Sequence, residues 1–195
     1  MTAFRKPQIA LTSKAAPFVI RAERAADVAM REALLDACFG ENRHDRTCQR
    51  LRDGRAPATG LALSAVREGK LVGTVRLWHV SAGGRPALVL GPLAVDPACR
   101  ELGIGAALMQ QALAAARARG HDAVILLGDA PYYARFGFSG EKTAALSLPG
   151  PFERDRLLAI EFTDGALDGA EGMIVPTGAA LAKRRSVRPL QARAA

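Results

Sequence analysis

From Ala87 to Gly120 the chain reads ALVLGPLAVDPACRELGIGAALMQQALAAARARG, and no other stretch restricts the possible folds as much. Ala87 to Val95 is nearly all apolar, as a strand buried on both faces of a sheet must be. Gly103 to Arg119 follows as a helix. Leu102, Ala106, Met109, Leu113 and Ala116 recur at steps of four and three, and Gly120 stands where a C-terminal cap belongs. Ala123 to Leu127 (AVILL) then supplies a second buried strand. Strand, helix and strand in this order form a βαβ step, which places both strands in one sheet with the helix across its face.

The flanking segments extend that sheet. Phe18 to Arg21 is a short β-prone run, and Ala22 to Cys38 favours helix, with Asp27 in its N-terminal turn and Val28, Ala29, Leu34, Leu35 and Cys38 on its apolar side. Phe39 to Asp53 is polar, helical at best, and offers no core-forming face beyond a few positions. Leu61 to Arg67 and Leu71 to Val80, separated by Glu68-Gly69-Lys70, form a hairpin. Pro131 to Phe136 is a helical turn, and Ala144 to Leu148 and Leu157 to Phe162 are two more strands. The expected fold class is α/β (α+β): a mixed, mainly antiparallel sheet of about seven strands flanked by helices, in one domain over residues 18–180.

The net charge of +8 suggests a nucleic-acid binder until it is located. Residues 1–17 carry +3 and residues 181–195 carry +5, so the core between them is neutral. These ends are read as mobile, solvated basic tails. Without aromatic interleaving or a recognition-helix pattern, sequence-specific nucleic-acid binding is not expected. No apolar run approaches a membrane span, and the first residues lack the apolar core of a secretory signal. Cys38, Cys48 and Cys99 are odd in number and form no CxxC pair, while His44, His79 and His121 lack ligand spacing. The expectation is a cytoplasmic protein, monomer or homodimer, without membrane partner or metal.

The glycine turn before the helix is suited to an anion. Helix N-termini leave amide N–H groups unpaired, and glycine lets a phosphate approach without a Cβ in the way. Two familiar phosphate loops do not fit. No Lys-Ser/Thr follows the glycines, and Leu108 stands where a dinucleotide fingerprint needs its third glycine. Arg100-Glu101-Leu102-Gly103-Ile104-Gly105 instead satisfies Arg/Gln-x-x-Gly-x-Gly/Ala, with LAVDP just upstream and Tyr133-Ala134-Arg135-Phe136-Gly137-Phe138 downstream. These two motifs, in order over residues 18–165, resemble the GNAT superfamily of N-acetyltransferases, and LGPLAVDP with GDAPYYARFGF is most similar to its YhbS-like subgroup.

The resemblance implies the GNAT fold, with a sheet that parts between its fourth and fifth strands, and acetyl-CoA as cosubstrate. It implies direct acetyl transfer to a primary amine of a small molecule or protein; a catalytically weak acyl-CoA-binding module is the alternative. By the same resemblance, Leu93, Ala94 and Val95 offer backbone groups to the pantetheine arm. Arg100, Glu101, Leu102, Gly103, Ile104, Gly105 and Ala106 form the pyrophosphate loop. Tyr133 is the catalytic acid for the departing thiolate, leaving Tyr132 as packing or cavity wall. An Asn that many relatives use for pantetheine is absent, and Asp129 stands in its place. Leu88 to Val95 lack the Glu that serves some members as base, with Glu41 and Asp129 as the substitutes considered. The acceptor is expected to enter past Phe39 to Asp53 and the C-terminal strands.

Overall fold

The computed structural model of the chain describes residues 18–181. The tail assigned to 1–17, and all but Leu181 of the one assigned to 181–195, lie outside the described residues. Eight strands and three α-helices follow one another: β1 (Val19–Ala22), α1 (Val28–Phe39), β2 (Ala62–Arg67), β3 (Lys70–Ala82), β4 (Arg85–Val95), α2 (Ile104–Ala118), β5 (Ala123–Leu127), α3 (Ala130–Ala134), β6 (Leu146–Ser147), β7 (Leu157–Glu161) and β8 (Gly172–Pro176). The sheet runs β1-β2-β3-β4-β5-β7, with β8 pairing the far end of β3 and β6 pairing β8. Its pairs are antiparallel except β4 with β5 and β6 with β8.

Period-two alternation divides the core between the two faces. Leu88, Leu90, Val124, Leu126 and Leu158 point toward α2. Ala87, Val89, Ala123, Ile125, Leu157 and Ala159 point to the other face, with Trp78 and Leu51. Helix α2 lies close against the sheet because Gly73 has no side chain; a β-carbon there would stand 3.0 Å from both Ile104 and Leu108. The buried stripe of α2 is therefore Ile104, Leu108, Met109, Ala112, Leu113 and Ala116. Ala106, expected on that stripe, is only half-buried. Gly120 ends the helix as expected: at φ +76° it donates to the Arg117 carbonyl while His121 donates to that of Ala116, the paired bonds of a Schellman motif.

A bulge in β4 determines where the site can be. Val75 pairs with Leu93 and Leu77 with Leu90, so Gly91 and Pro92 together oppose Arg76 alone. Gly91 has φ +141°, open only to glycine, and its carbonyl accepts the Trp78 indole N–H at 2.6 Å. The extra residue inverts the alternation, turning Leu93 and Val95 toward the α2 side and Ala94 toward Leu34, Leu35 and Leu71. Strands β4 and β5 are paired only at Leu88–Val124 and Val89–Ile125, and part as the bulge begins. The expected opening between the fourth and fifth strands is present.

Phe39 to Asp53 reaches the core at a few positions, as expected: of its short 3-10 turns, Glu41–Asp45 and Thr47–Leu51, the second buries Thr47 and fully encloses Leu51. The C-terminal strands need correction. One strand was missed, β8, and the strand expected over 144–148 shrinks to Leu146–Ser147. Gly172–Pro176 is too short and too exposed to alternate clearly, and it forms because the end of β3 projects beyond β2 and needs a partner.

Beneath α1, Asp27 is 2% exposed. Its carboxylate accepts two bonds from the Arg21 guanidinium at 2.6 and 2.9 Å, one from the Arg24 amide at 2.8 Å and one from the Ser64 hydroxyl at 3.2 Å. The hydrogen bonds from Arg21, more than offsetting burial, hold this carboxyl well below the usual range. A depressed carboxyl stabilises the fold above its unfolded pKa and loses that contribution as pH falls. Stability measured by chemical denaturation is expected to decline below roughly pH 5. Asp27→Asn should lower stability at pH 7 and flatten that acid decline.

Candidate active site

The wedge between β4 and β5 opens into a cavity of about 870 Å³. The inner edge of β4 from Leu90 to Val95 forms one wall, and Leu126 to Asp129 with α3 forms the other. Arg43 to Arg52 and the loop Pro151 to Arg156 close the end near the bulge. The floor is thus made of backbone that has lost its strand partner, a place where a bound molecule can supply the missing hydrogen bonds. One of these groups is already engaged: the Val95 carbonyl accepts the Cys38 thiol at 3.4 Å.

At the other end of the wedge, β4 runs into the glycine turn. Asp96 folds the chain by accepting the Ala98 amide at 2.9 Å, and Glu101 (φ +69°) and Gly103 (φ +74°) complete the reversal in left-handed conformation. The Leu102 amide donates to the Arg100 carbonyl at 2.9 Å, so it is not free in the way expected of it. The first helical bond is donated by Ala107 to Gly103. The amides of Gly103, Ile104, Gly105 and Ala106 precede it and carry the positive end of the helix dipole. Arg100 and Gly105 both line the cavity, whereas Glu101 is fully at the surface. A β-carbon on Gly105 would meet the Tyr132 hydroxyl at 3.4 Å and Val95 at 3.6 Å.

The two tyrosines of α3 separate as helical neighbours should. Tyr132 reaches across the wedge to Gly105, its ring covered by the Arg135 guanidinium at 3.8 Å. Tyr133 tucks under the end of β5, where a β-carbon on Gly128 would collide with its ring, and stands edge-on to Phe138 at 6.0 Å. Burial raises the Tyr133 phenol above its ordinary value, with the neighbouring Tyr132 adding to the shift and Arg156 opposing it. Tyr133 is therefore a protonated hydroxyl at neutral pH, facing a cavity. Asp129 caps α3, its carboxylate accepting the Tyr132 amide at 3.3 Å, and it lines the same cavity.

The structure brings Leu93, Ala94, Val95, Arg100, Gly105, Asp129 and Tyr133 to one cavity. Glu41, one of the two bases considered, is not on its wall. From the sequence, Arg52 is one of several arginines set among acids on the acceptor-entry segment, with charges that cancel, and Cys38 is an apolar position of α1; only the packing of α1 and the 3-10 turns against β4 brings both to the wedge. The contact of Tyr132 with Gly105 was equally out of reach. His79 and His121, distant in sequence, lie with ring centroids 5.2 Å apart. Among the described residues no cluster of three or more His, Cys, Asp or Glu could hold a metal ion. No helix among them is long and apolar enough to cross a membrane.

Comparison with known proteins gives a consistent picture. A model of the acetyltransferase (GNAT) family matches residues 28–138. The uncharacterized N-acetyltransferase YhbS of Escherichia coli K12 is 29% identical over 158 residues, 80% of this chain and 94% of that protein. The crystal structure of YhbS from Escherichia coli in complex with CoA superposes with a TM-score of 0.72 at 28% identity, covering 85% of this chain and 93% of that one. A GNAT family acetyltransferase from Brucella melitensis, in complex with acetyl-CoA, gives 0.63 at 26% identity, covering 83% and 97%.

The two loop glycines should respond oppositely to alanine. Gly103→Ala places a β-carbon at positive φ and should cost about 1–2 kcal/mol. Gly105→Ala lies in helical backbone with room at 3.4 Å, and should gain up to about 1 kcal/mol. Urea denaturation of both variants measures the contrast.

Proposed function

The chain belongs to the acetyltransferase (GNAT) family, and from that premise we propose that it transfers an acetyl group from acetyl-CoA directly to a primary amine. The observation that carries this reading is the shared cavity: β4 and β5 part at a bulge, a glycine-bounded helix start lies at one end, and a protonated tyrosine stands on the wall. In this reading the amides of Gly103 to Ala106 and the Arg100 guanidinium hold the pyrophosphate, with the Tyr132 hydroxyl beside them. Leu93 and Ala94 offer backbone groups to the pantetheine amides, and Asp129 lies where many relatives have an Asn. The unpaired Cys38, Cys48 and Cys99 suit the reducing cytoplasm.

The reaction needs little covalent chemistry from the protein. A nitrogen–carbon bond forms as the carbon–sulfur bond breaks, and the sulfur leaves with the electron pair. Tyr133 donates the proton that turns this thiolate into a thiol, a task suited to a phenol whose pKa is raised by burial. In this reading the ammonium of the acceptor releases its proton to solvent: β4 offers no carboxylate, Asp129 is engaged as a helix cap, Glu153 pairs with Arg156, and Asp45 is exposed. Holding both reactants in the wedge contributes through proximity.

Two measurements test this reading. Tyr133→Phe should lower kcat by about 10²–10⁴-fold, followed as free thiol released from acetyl-CoA, while CoA affinity by calorimetry stays close to that of the parent. Gly105→Ala should do the reverse, weakening CoA binding about tenfold or more by crowding the pyrophosphate loop. CoA binding without thiol release for any amine would turn the reading to a CoA-binding module.

A further inference from the structure

The end of the cavity away from the glycine turn is built around the half-buried Arg52. Arg52 ends the Thr47–Leu51 turn, and its Nε donates to the Cys48 carbonyl at 3.2 Å. Its Nη1 lies 3.8 Å from the place a β-carbon on Gly91 would occupy, so the guanidinium rests on the bulge itself. Among the described residues the terminal nitrogens of Arg52 make no hydrogen bond and no salt bridge, in contrast to Arg43 beside it, which pairs with Glu32 and Asp36. Burial draws the Arg52 guanidinium down from the ordinary arginine value; Cys48 and the neighbouring Asp53 oppose that shift, and the positive charges of Arg43 and Arg46 add to it.

Such a placement costs free energy unless something negative completes it. The cavity wall holds five arginines (Arg43, Arg46, Arg52, Arg100 and Arg156) against three carboxylates (Asp45, Asp129 and Glu153), and so is net positive. Part of its acidic complement is already engaged, since Asp129 caps α3 and Glu153 pairs with Arg156 at 3.5 Å. The charge near Arg52 also differs from that of the glycine turn. Gly91 and Val95 are four residues apart on β4, roughly 13 Å of extended strand. An anion held by the helix start therefore cannot also neutralise Arg52.

We propose that Arg52 is a specificity-determining residue that binds a carboxylate on the acceptor, so that the substrate is a small primary amine bearing a free carboxylate, of the amino-acid type. Resting on the acetyl-transfer reading above, this assigns the two ends of the wedge to two anions: the pyrophosphate at the helix start and the acceptor carboxylate at the bulge. The planar fork of a guanidinium suits a carboxylate with two parallel hydrogen bonds. Leu90, Pro92, Leu127 and Phe152 on the cavity wall are apolar; Arg43 is tied to Glu32 and Asp36 and Arg156 to Glu153, and Arg52 is the arginine that rests on the bulge.

The test uses the full-length protein, acetyl-CoA and matched amines: glycine, L-methionine and L-phenylalanine, the amide of each, and aminomethylphosphonate. The acids should show kcat/KM about 10- to 100-fold above their amides. Arg52→Gln should collapse that preference toward one, chiefly through KM, with CoA affinity and melting temperature retained, and Arg52→Lys should recover part of it. Equal rates for acids and amides, or an unchanged preference in Arg52→Gln, would overturn the proposal; preference for the phosphonate would overturn the carboxylate assignment. If CoA binds but no amine is acetylated, the transfer reading fails, and thermal shift of the CoA-loaded protein then decides for Arg52. Stabilisation by N-acetylmethionine but not by its amide, lost in Arg52→Gln, supports the anion site, and its absence refutes it.

Discussion

The hydrogen bond from the Trp78 indole to the Gly91 carbonyl holds the feature on which the rest of the site depends. A continuous β4 would pair with β5 along its length and leave no opening. Two residues opposite one at Gly91-Pro92 break that pairing and rotate the following residues by one position. Pro92 has no amide to give to a neighbouring strand. Gly91 adopts a φ that other residues avoid. The wedge is therefore a consequence of local backbone chemistry held in place by one side chain from the adjacent strand.

Around that wedge, electrostatics and packing divide the work. The helix start and Arg100 supply positive potential at one end, and Arg52, with Arg46 nearby, supplies it at the other. Between them lie β4 backbone unpaired on the side facing β5 and a phenol kept neutral by burial. Helix α1 and the 3-10 turns keep the far end in position. Asp27 ties α1 to β1 and β2 through Arg21 and Ser64, and Glu23 accepts from both Arg31 and Arg76. Low-dielectric surroundings make the buried charges among these, Asp27 and Arg31, count for more than they would in water.

Most of the architecture was legible from patterning. The βαβ step from Ala87 to Leu127 was marked by its apolar runs, and the hairpin at Glu68-Gly69 and the cap at Gly120 by glycines that tolerate positive φ, and each formed as expected. Features that depend on neighbours were not legible. β8 exists because β3 outruns β2, and Leu51 is buried because a polar segment happens to lie over Trp78 and Ile125. The shift of the α2 stripe to Ile104 and Leu108 follows from the space left by Gly73 on a different element.

The same division applies to the site. The sequence by itself determined the helix start, since glycines at 103 and 105 and Arg100 act through their own backbone and charge, and it marked Tyr133 by its spacing to Gly137-Phe138. Only the tertiary structure decided which groups share the cavity: the Leu102 amide withdrawn into the turn, Tyr132 set against Gly105, and Arg52 laid on the bulge without a salt bridge among the described residues. The physical reason is range. Backbone conformation and helix dipoles are fixed by residues close in sequence. The dehydration of a charge and the absence of its counterion are set by the elements that pack around it.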